Sequence, residues 1–224
     1  MSDAIWSDVH KNYQTQDWID KPSIFAETAI QYFPKAGKIL ELGAGQGQDG
    51  RFFAEHGYPV VCTDLEDTAL GLAHEKLPED LQEKVSFQKL DLREALPFEA
   101  ASFDVVYAHL SLHYFELEST WKIFDEITRV LKPGGVLAFL VNSTADPEYE
   151  SGKQLESDFF QVDKVTKRYF SVTSTRELVS NHYEINLLDN LGETYKDADK
   201  GVHNLIRFIG VKPASVLEKS ERKD

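Results

Sequence analysis

The sequence predicts an α/β fold, in which buried strands alternate with helices. Short apolar runs at 39–42, 59–64 and 136–141 have the length and composition of buried strands, and segments with helical spacing separate them. The first run contains Glu41 and is followed by glycines at every second position. Such a turn is typical of a strand that passes sharply into a helix, with a ligand resting against the backbone between them.

Composition favours one globular domain. The 224 residues are 42% hydrophobic and 28% charged, with a net charge of −14, which disfavours nucleic acid as a partner. The single cysteine, Cys62, excludes an intrachain disulfide and a four-cysteine metal site, and we expect it to be a small buried hydrophobe. Because no membrane-length apolar run and no signal-peptide pattern occur, we expect a cytoplasmic protein without a membrane partner.

The N-terminal region is rich in aromatic side chains. Apolar residues at helical spacing from 24 to 33 predict a helix that begins after an N-cap at Ser23 and runs to Pro34. Trp6, Tyr13 and Trp18 precede it. These three either anchor an N-terminal arm or close over the ligand, since aromatic side chains serve both purposes.

The glycine turn is the strongest functional signal. Gly45, Gly47 and Gly50 form a G-x-G-x-x-G pattern, which alone would suggest a dinucleotide. In that fold a pyrophosphate rests on the helix N-terminus, where Glu41 and Asp49 would repel it. A cationic ligand without phosphate suits these charges better, and an NAD-type nucleotide is the alternative.

Three successive predicted strands end in acids, Glu41, Asp64 and Asp91. Asp64 lies nineteen residues beyond Gly45, a spacing that suits a carboxylate accepting both hydroxyls of a ribose. The alternatives are an N-cap of the next helix for Asp64 and an exposed turn aspartate for Asp91. The coincidence of three acids favours an adenosine-containing ligand.

The segment after the fourth predicted strand, 102–107, is expected to face the reacting group. Ligands of open α/β sheets bind at the carboxyl ends of the strands, which makes His109, His113 and Tyr114 candidates for a general base or an orienting group. Alternatively, His113 and Tyr114 are packing residues at the start of a helix. No third ligand lies near the two histidines, so we expect no metal site.

The second half of the chain completes the fold. Trp121, Phe124, Ile127, Val130 and Leu131 predict one apolar face of a helix that ends at a Pro-Gly-Gly turn.

Beyond residue 141 the pattern changes. Segment 142–170 mixes turn and aromatic residues without regularity, which is typical of a lid or substrate loop. The Ser-Thr-Arg-Glu sequence at 174–177 predicts a capping box. Runs at 183–188 and 202–211 predict an edge hairpin, and residues 218–224 a solvated tail.

Two passages carry a resemblance to a known family. Glu41-Leu42-Gly43-Ala44-Gly45-Gln46-Gly47 resembles the acidic glycine motif of class I S-adenosylmethionine-dependent methyltransferases, whose cofactor carries a sulfonium and an ammonium. Leu131-Lys132-Pro133-Gly134-Gly135 resembles a second turn of that family. The passage Arg168-Tyr169-Phe170-Ser171 and the lid look like the tellurite-resistance and thiopurine-type small-molecule subgroup.

The resemblance covers about residues 23 to 213 and implies a Rossmann-like seven-stranded mixed sheet with helices on both faces. Its strand order would be 3-2-1-4-5-7-6, with the last strand antiparallel. One domain would span 1–213, with an aromatic arm and helix at 1–34 and a lid at 142–170. Residues 214–224 would form a charged tail.

The resemblance also implies a site. Cofactor binding would involve Glu41, Gly43, Ala44, Gly45, Gly47, Asp64, Leu65, Asp91, Leu92 and Ala108. Tyr13, His109, His113 and Tyr114 would border the methyl group. The expected activity is in-line methyl transfer to a small-molecule sulfur, oxygen, nitrogen or metalloid nucleophile, by a monomer or homodimer. An NAD-dependent oxidoreductase and a non-catalytic S-adenosylmethionine-binding protein are the alternatives.

Overall fold

A seven-stranded mixed sheet organises the chain in the computed structural model, which describes residues 16, 19–197 and 199–214. The strands are β1 (Ile39–Leu42), β2 (Val60–Asp64), β3 (Val85–Lys89), β4 (Phe103–His109), β5 (Leu131–Val141), β6 (Lys153–Glu156), β7 (Phe159–Val162), β8 (Val165–Arg168), β9 (Glu184–Gly192) and β10 (Leu205–Val211). Strands β6, β7 and β8 form a second, three-stranded antiparallel sheet.

Five α-helices are present within the described residues. They are α1 (Ile24–Ala29), α2 (Gln48–Glu55), α3 (Asp67–Glu75), α4 (Leu117–Val130) and α5 (Val172–Val179). Two 3₁₀ turns, Ile30–Tyr32 and Glu79–Leu81, supplement them.

The large sheet has the order β3-β2-β1-β4-β5-β10-β9. Strands β1 to β5 pair in parallel, whereas β10 is antiparallel to both β5 and β9. This confirms the predicted sheet, with β9 and β10 as its sixth and seventh strands. The order reverses between β1 and β4, and a crevice for ligands forms at such a switch point.

Two apolar clusters pack against the large sheet and bury β1 completely. Leu40 and Leu42 belong to one cluster and Ile39 to the other, because successive side chains of a strand point to opposite faces. Glu41 is buried as well, although it is acidic. Burial of a charged carboxylate is unfavourable unless it is paired or hydrogen-bonded, so the surroundings of Glu41 are of interest for the site.

Helix α1 begins as predicted. The Ser23 hydroxyl accepts a hydrogen bond from the Ala26 N–H at 3.0 Å, which satisfies one of the free donors at a helix start. The α-helix ends at Ala29 and continues as a 3₁₀ turn to Tyr32, shortly before Pro34.

The prediction for the apolar face of α4 was wrong at two positions. Trp121 is 42% exposed, because it lies beyond the edge of the buried stripe. That stripe runs through Thr120, Ile123, Phe124, Ile127 and Val130, and so includes three of the predicted residues. Leu131 is buried but already belongs to β5, since the helix ends at Val130.

Two further predictions were wrong. The capping box of α5 joins Ser171 to Ser174 rather than Ser174 to Glu177, because the helix begins at Val172. Segment 142–170 is not irregular: strands β6 to β8 occupy much of it. Each of these strands has only four residues and none alternates regularly between apolar and polar side chains, so the sequence shows no strand periodicity there.

Two helical glycines, Gly50 and Gly71, differ in the space around them, and substituting each by alanine tests how closely α2 is packed. A Cβ on Gly50 in α2 would lie 2.3 Å from the Cys62 sulfur and 2.5 Å from the Glu41 carboxylate, whereas nothing lies within 4 Å of one on Gly71 in α3. Gly50→Ala should lower the free energy of unfolding by about 1–3 kcal/mol through overpacking. Gly71→Ala should raise it by up to about 1 kcal/mol through helix propensity. Urea denaturation measures both, and a similar change in the two variants would contradict the packing argument.

Candidate active site

A cavity of about 820 Å³ opens where the parallel strands end. Its volume lies in the range of about 300–1,000 Å³ that is usual for small-molecule sites. Its lining comes from the glycine turn, the ends of β2 and β3, the segment after β4, the residues around the start of α1, and the β9–β10 connection. The cavity therefore joins the glycine turn, the ends of β2 and β3 and the segment after β4, in all of which site residues were predicted.

The first two glycines of the turn have backbone conformations that favour glycine. Gly43 and Gly45 have φ angles of 70° and 56°, in the left-handed region. A Cβ on Gly43 would lie 2.3 Å from the Cβ of Ser111. The Ser111 hydroxyl donates to the carbonyl oxygen of Leu42 at 2.6 Å and so fixes the segment after β4 against the end of β1. Gly43, Ala44 and Gly45 all line the cavity.

The next two glycines of the motif are not among the lining residues and serve packing. Gly47 is the N-cap of α2 in a left-handed conformation, with φ at 71°. A Cβ there would lie 3.1 Å from that of Ala73 in α3. Gly50 lets α2 approach Cys62 and Glu41, as described above. Gly47 allows α2 to pack closely against α3, and Gly50 allows it to pack closely against the sheet. In this position Gln48 and Asp49, in the first turn of α2, line the cavity.

Asp64, at the end of β2, lines the cavity with its carboxylate held in place. One oxygen accepts the Gly45 N–H at 2.8 Å and the other accepts the Glu66 N–H at 3.0 Å. Each carboxylate oxygen can accept a further hydrogen bond, so the group can receive two hydroxyls. Asp64 is not the cap of the next helix, because the N-cap of α3 is Glu66. Leu65 lines the cavity beside it.

Asp91 and Leu92 line the cavity beyond the end of β3. Arg93 donates from Nε to the Asp91 carboxylate at 2.9 Å and from Nη2 at 2.5 Å. These hydrogen bonds keep the pKa of Asp91 below its usual value despite partial burial. The carboxylate is thus ionised, and any further donor would share its oxygens with Arg93.

Two acids are buried under the turn, Glu41 and Asp49, each 3% exposed. Asp49 accepts hydrogen bonds from the Ser23 N–H at 2.6 Å, the Ser23 hydroxyl at 2.7 Å and the Tyr107 hydroxyl at 2.7 Å. Glu41 accepts one from the Cys62 thiol at 3.2 Å. Among the residues that the structure describes, neither acid forms an ion pair with a lysine or arginine.

The charge of this pair is therefore uncompensated by the described side chains. Burial, and then the neighbouring charge of Asp49, raise the pKa of Glu41 well above its ordinary value. Both acids line the cavity, so a cation placed there would be attracted through a medium of low dielectric constant. This arrangement disfavours a phosphate and favours a positively charged ligand.

The two predicted histidines occupy different places. His109, the last residue of β4, lines the cavity, and burial lowers its pKa while the charge of Asp49 acts in the opposite direction. His113 is 2% exposed and is not among the lining residues. Burial, with smaller contributions from Lys167 and His109, lowers the pKa of His113 to about 3. Of these two histidines, only His109 borders the cavity and could contact a substrate there.

Of the other predicted site residues, some line the cavity and others do not. Tyr114 lines the cavity, whereas Ala108 is fully buried and not among the lining residues. Tyr13 lies outside the described residues. Leu110, between the two histidines, adopts a left-handed φ of 54° and lines the cavity. For a residue with a Cβ this conformation is strained, a feature that clusters at functional sites.

Sequence reasoning missed several lining residues. They are Ser23, Glu27, Arg93, Ser111, Phe115, Thr166, Thr194, Tyr195 and Lys196. No local motif marks them, because most reach the cavity from elements distant in the chain. Among residues 16, 19–197 and 199–214, no group of three potential ligands could hold a metal ion. Within the same ranges, no helix is long and apolar enough to cross a bilayer.

Buried His113 makes stability depend on pH. Its pKa is about 3 in the folded chain against an ordinary value of 6.5. Below pH 6.5 the unfolded chain therefore binds a proton that the folded chain does not. The resulting stabilisation is full above pH 6.5 and is lost as the pH falls towards 3. At pH 5 the loss is about 2 kcal/mol.

His113→Phe should remove this contribution, since Nδ1 has no hydrogen-bond partner among the described residues. Between pH 7 and pH 5, the free energy of unfolding should fall by about 2 kcal/mol less in the variant than in the wild type. Urea denaturation at the two pH values measures this. Exposed His182 provides the control variant His182→Gln. Equal slopes for wild type and His113→Phe would contradict the expectation.

Comparison with known sequences gives a match to a described domain. Residues 40–139 match a family model described as a methyltransferase domain. The chain is 28% identical over 201 residues to the 27-O-demethylrifamycin SV methyltransferase of Amycolatopsis mediterranei, which covers 83% of this chain and 68% of that protein. The chain spans 44% to 46% of the length of other curated methyltransferases, which it matches at 33% to 36% identity.

Solved structures share the fold. A structure of an S-adenosylmethionine-dependent methyltransferase from Methanosarcina mazei aligns with a TM-score of 0.70 at 21% identity, over 83% of this chain and 97% of that chain. The Burkholderia thailandensis 1,6-didemethyltoxoflavin-N1-methyltransferase, with bound 1,6-didemethyltoxoflavin and S-adenosylhomocysteine, aligns at 0.66 and 18% identity, over 94% and 84%. The chain therefore has the fold of these S-adenosylmethionine-dependent methyltransferases, and residues 40–139 match a methyltransferase domain.

Proposed function

We propose that this chain transfers the methyl group of S-adenosylmethionine to a small-molecule nucleophile. One observation carries the proposal: a single cavity joins a glycine turn with buried acids to a segment that bears His109 and Tyr114. The first part has the charge and shape for a cationic nucleoside. The second part offers a proton acceptor and an aromatic wall beside it.

The residues of the turn fit the cofactor. Asp64 would accept the ribose hydroxyls with its free lone pairs. The backbone at Gly43 and Gly45 would approach the ligand closely, and Asp91 with Leu92 would border the adenine. Glu41 and Asp49 give the cavity its negative wall, which suits an ammonium and a sulfonium. The bound cofactor supplies an activated methyl group, which an attacking lone pair takes as the carbon–sulfur bond breaks towards sulfur.

His109 is proposed as the general base. Burial keeps its imidazole neutral, so it can accept a proton from a hydroxyl or amine as the nucleophile attacks. The charge of Asp49 favours the imidazolium that results. A thiolate would need no base. Tyr114 would orient the acceptor, and the role of Tyr13 as a cover over the ligand stays a prediction.

The acceptor is proposed to be a small molecule. The cavity is of small-molecule size, and the net charge of −14 disfavours nucleic acid. Two similar proteins are named for small acceptors, a rifamycin precursor and a toxoflavin precursor. Membership of the tellurite-resistance and thiopurine-type subgroup stays a prediction. So do a monomer or homodimer and a cytoplasmic location.

Calorimetric titration with S-adenosylhomocysteine, run beside NADH, tests the proposal. The first ligand should bind at one site and NADH should not. Asp64→Ala should raise the dissociation constant at least tenfold, a loss of about 1.4 kcal/mol or more, because the ribose hydroxyls lose their acceptor. Asp67→Ala is the matched control, since this carboxylate is exposed, pairs with Lys89 and is not among the lining residues. Binding of NADH alone would favour the oxidoreductase alternative.

His109→Asn tests the general base. Transfer of labelled methyl groups to phenol and amine acceptors should fall about 10²- to 10⁴-fold, while thiol methylation and S-adenosylhomocysteine binding should change little. The measurement is label incorporation across a panel of phenols, amines and thiols, with His182→Gln as the control. Undiminished transfer to phenols and amines would contradict the role of His109. Cofactor binding without transfer to any acceptor would favour a non-catalytic protein.

A further inference from the structure

The residues just before α1 form one wall of the cavity. Residues 19–24, called the N-terminal strap here, contribute Ile19, Lys21, Pro22, Ser23 and Ile24 to its lining. Ile19 is 4% exposed, so the strap is packed rather than hanging free. The strap faces the glycine turn, whose Gly45 and Gln46 line the same cavity. A ligand in the turn therefore lies against the strap.

The inner end of the strap is fixed by a buried contact. The Asp49 carboxylate accepts both the N–H and the hydroxyl of Ser23, at 2.6 and 2.7 Å. Tyr107, which is fully buried in β4, donates to the same carboxylate at 2.7 Å. Hydrogen bonds to a charged group are worth about 1.5–3 kcal/mol each. Asp49 thus ties the start of α1 to the first turn of α2 and to the central sheet.

The outer end is held by exposed contacts. The carbonyl oxygen of Asp20 accepts from Arg51 Nη2 at 3.0 Å, and its carboxylate pairs with Lys76 at 3.2 Å. The side chain of Asp20 is 71% exposed, and such surface pairs contribute about 0–1 kcal/mol. Asp20, Arg51 and Lys76 are not among the lining residues. The side-chain contacts of the two ends therefore differ in strength, and those of the outer end involve no lining residue, although Ile19 and Lys21 beside Asp20 line the cavity.

We propose that Asp49 is a positioning residue that pins the strap at Ser23, and that the strap opens at its Asp20 end to exchange cofactor and product. The inference rests on the proposed function, because it takes the cofactor to lie under the strap. Opening breaks the exposed contacts of Asp20 and uncovers Ile19, which is buried while the strap is closed. The buried contacts of Ser23 stay formed and return the strap to its place.

The outer end is tested with Lys76→Met. Loss of the Asp20 pair should make opening easier, so association and dissociation of S-adenosylhomocysteine should both accelerate, by about two- to fivefold. The dissociation constant should change less than twofold, because Lys76 is not a lining residue. Surface plasmon resonance with the immobilised protein measures both rates. Lys122→Met is the matched control, since it removes an exposed pair with Glu118 on α4, which does not belong to the strap.

The inner end is tested by two variants that each remove one hydrogen bond to Asp49. Ser23→Gly removes the hydroxyl bond to Asp49 and leaves the bond from the backbone N–H, so it loosens the strap. It keeps most of the cap strength of α1, because glycine is nearly as good an N-cap as serine. It should raise the dissociation rate about tenfold or more. Tyr107→Phe removes a donor on β4 together with its 3.1 Å contact to the Ser23 hydroxyl. Both bonds from Ser23 to Asp49 remain, so the rate should stay within twofold of wild type. Ser23→Thr keeps the hydroxyl and should restore slow dissociation.

The outcomes separate this inference from the proposed function. If the wild type does not bind S-adenosylhomocysteine, both fail. If it binds but Lys76→Met behaves like Lys122→Met, the strap is not the route of exchange. Equal dissociation rates for Ser23→Gly and Tyr107→Phe would overturn the positioning role of Asp49. Melting temperatures of all variants are compared first, and the surface variant Lys76→Met tests the strap even if Ser23→Gly does not fold.

Discussion

The structure around the cavity depends on the buried carboxylate of Asp49, which is stabilised by hydrogen-bond donors and, among the described residues, not by a cation. Asp49 is 3% exposed, and a buried charge is costly unless it is paired or well hydrogen-bonded. Its donors come from Ser23, at the start of α1, and from Tyr107, in the central strand β4. The contact therefore requires that the N-terminal helix, the glycine turn and the sheet meet at one point. The hydrogen bonds that Asp49 requires therefore hold the N-terminal strap in place as one wall of the cavity.

The same constraint sets the chemistry of the cavity. Glu41 lies beside Asp49 in the interior, and burial with the neighbouring charge raises the pKa of its carboxyl. A phosphate brought to this turn would add negative charge to two acids already short of compensation, whereas a cation would relieve them. His109 responds to the same field, which partly offsets the effect of burial on its pKa. Ligand preference and proton acceptance thus depend on one charge distribution.

Features fixed by short-range pattern were predictable from the sequence. The glycine turn, the N-cap Ser23 and the acids at the end of β2 and just after β3 follow from neighbouring residues, and the sheet order came from resemblance to a family. The side of α4 that carries Trp121 depends on where the sheet lies, and the Asp49 contacts join residues 26 and 58 positions apart. Contacts between residues so far apart produce no periodic pattern in the sequence. The sequence therefore indicates the charge of Asp49 but not its hydrogen-bond partners.

The small sheet contributes Thr166 to the lining of the cavity and is attached to the segment after β4. Buried Arg168, in β8, pairs with Glu156 and donates from Nε to the carbonyl oxygen of Phe115 at 3.0 Å. Its own N–H donates to the carbonyl oxygen of His113 at 2.7 Å. Lifting the small sheet would break the hydrogen bonds that Arg168 donates to Phe115 and His113, whereas its pair with Glu156, in the same sheet, would stay formed. A hydrogen bond to a charged group is worth about 1.5–3 kcal/mol. Buried contacts thus anchor the small sheet to the segment that carries Tyr114, whereas the contacts of Asp20 at the outer end of the strap are exposed.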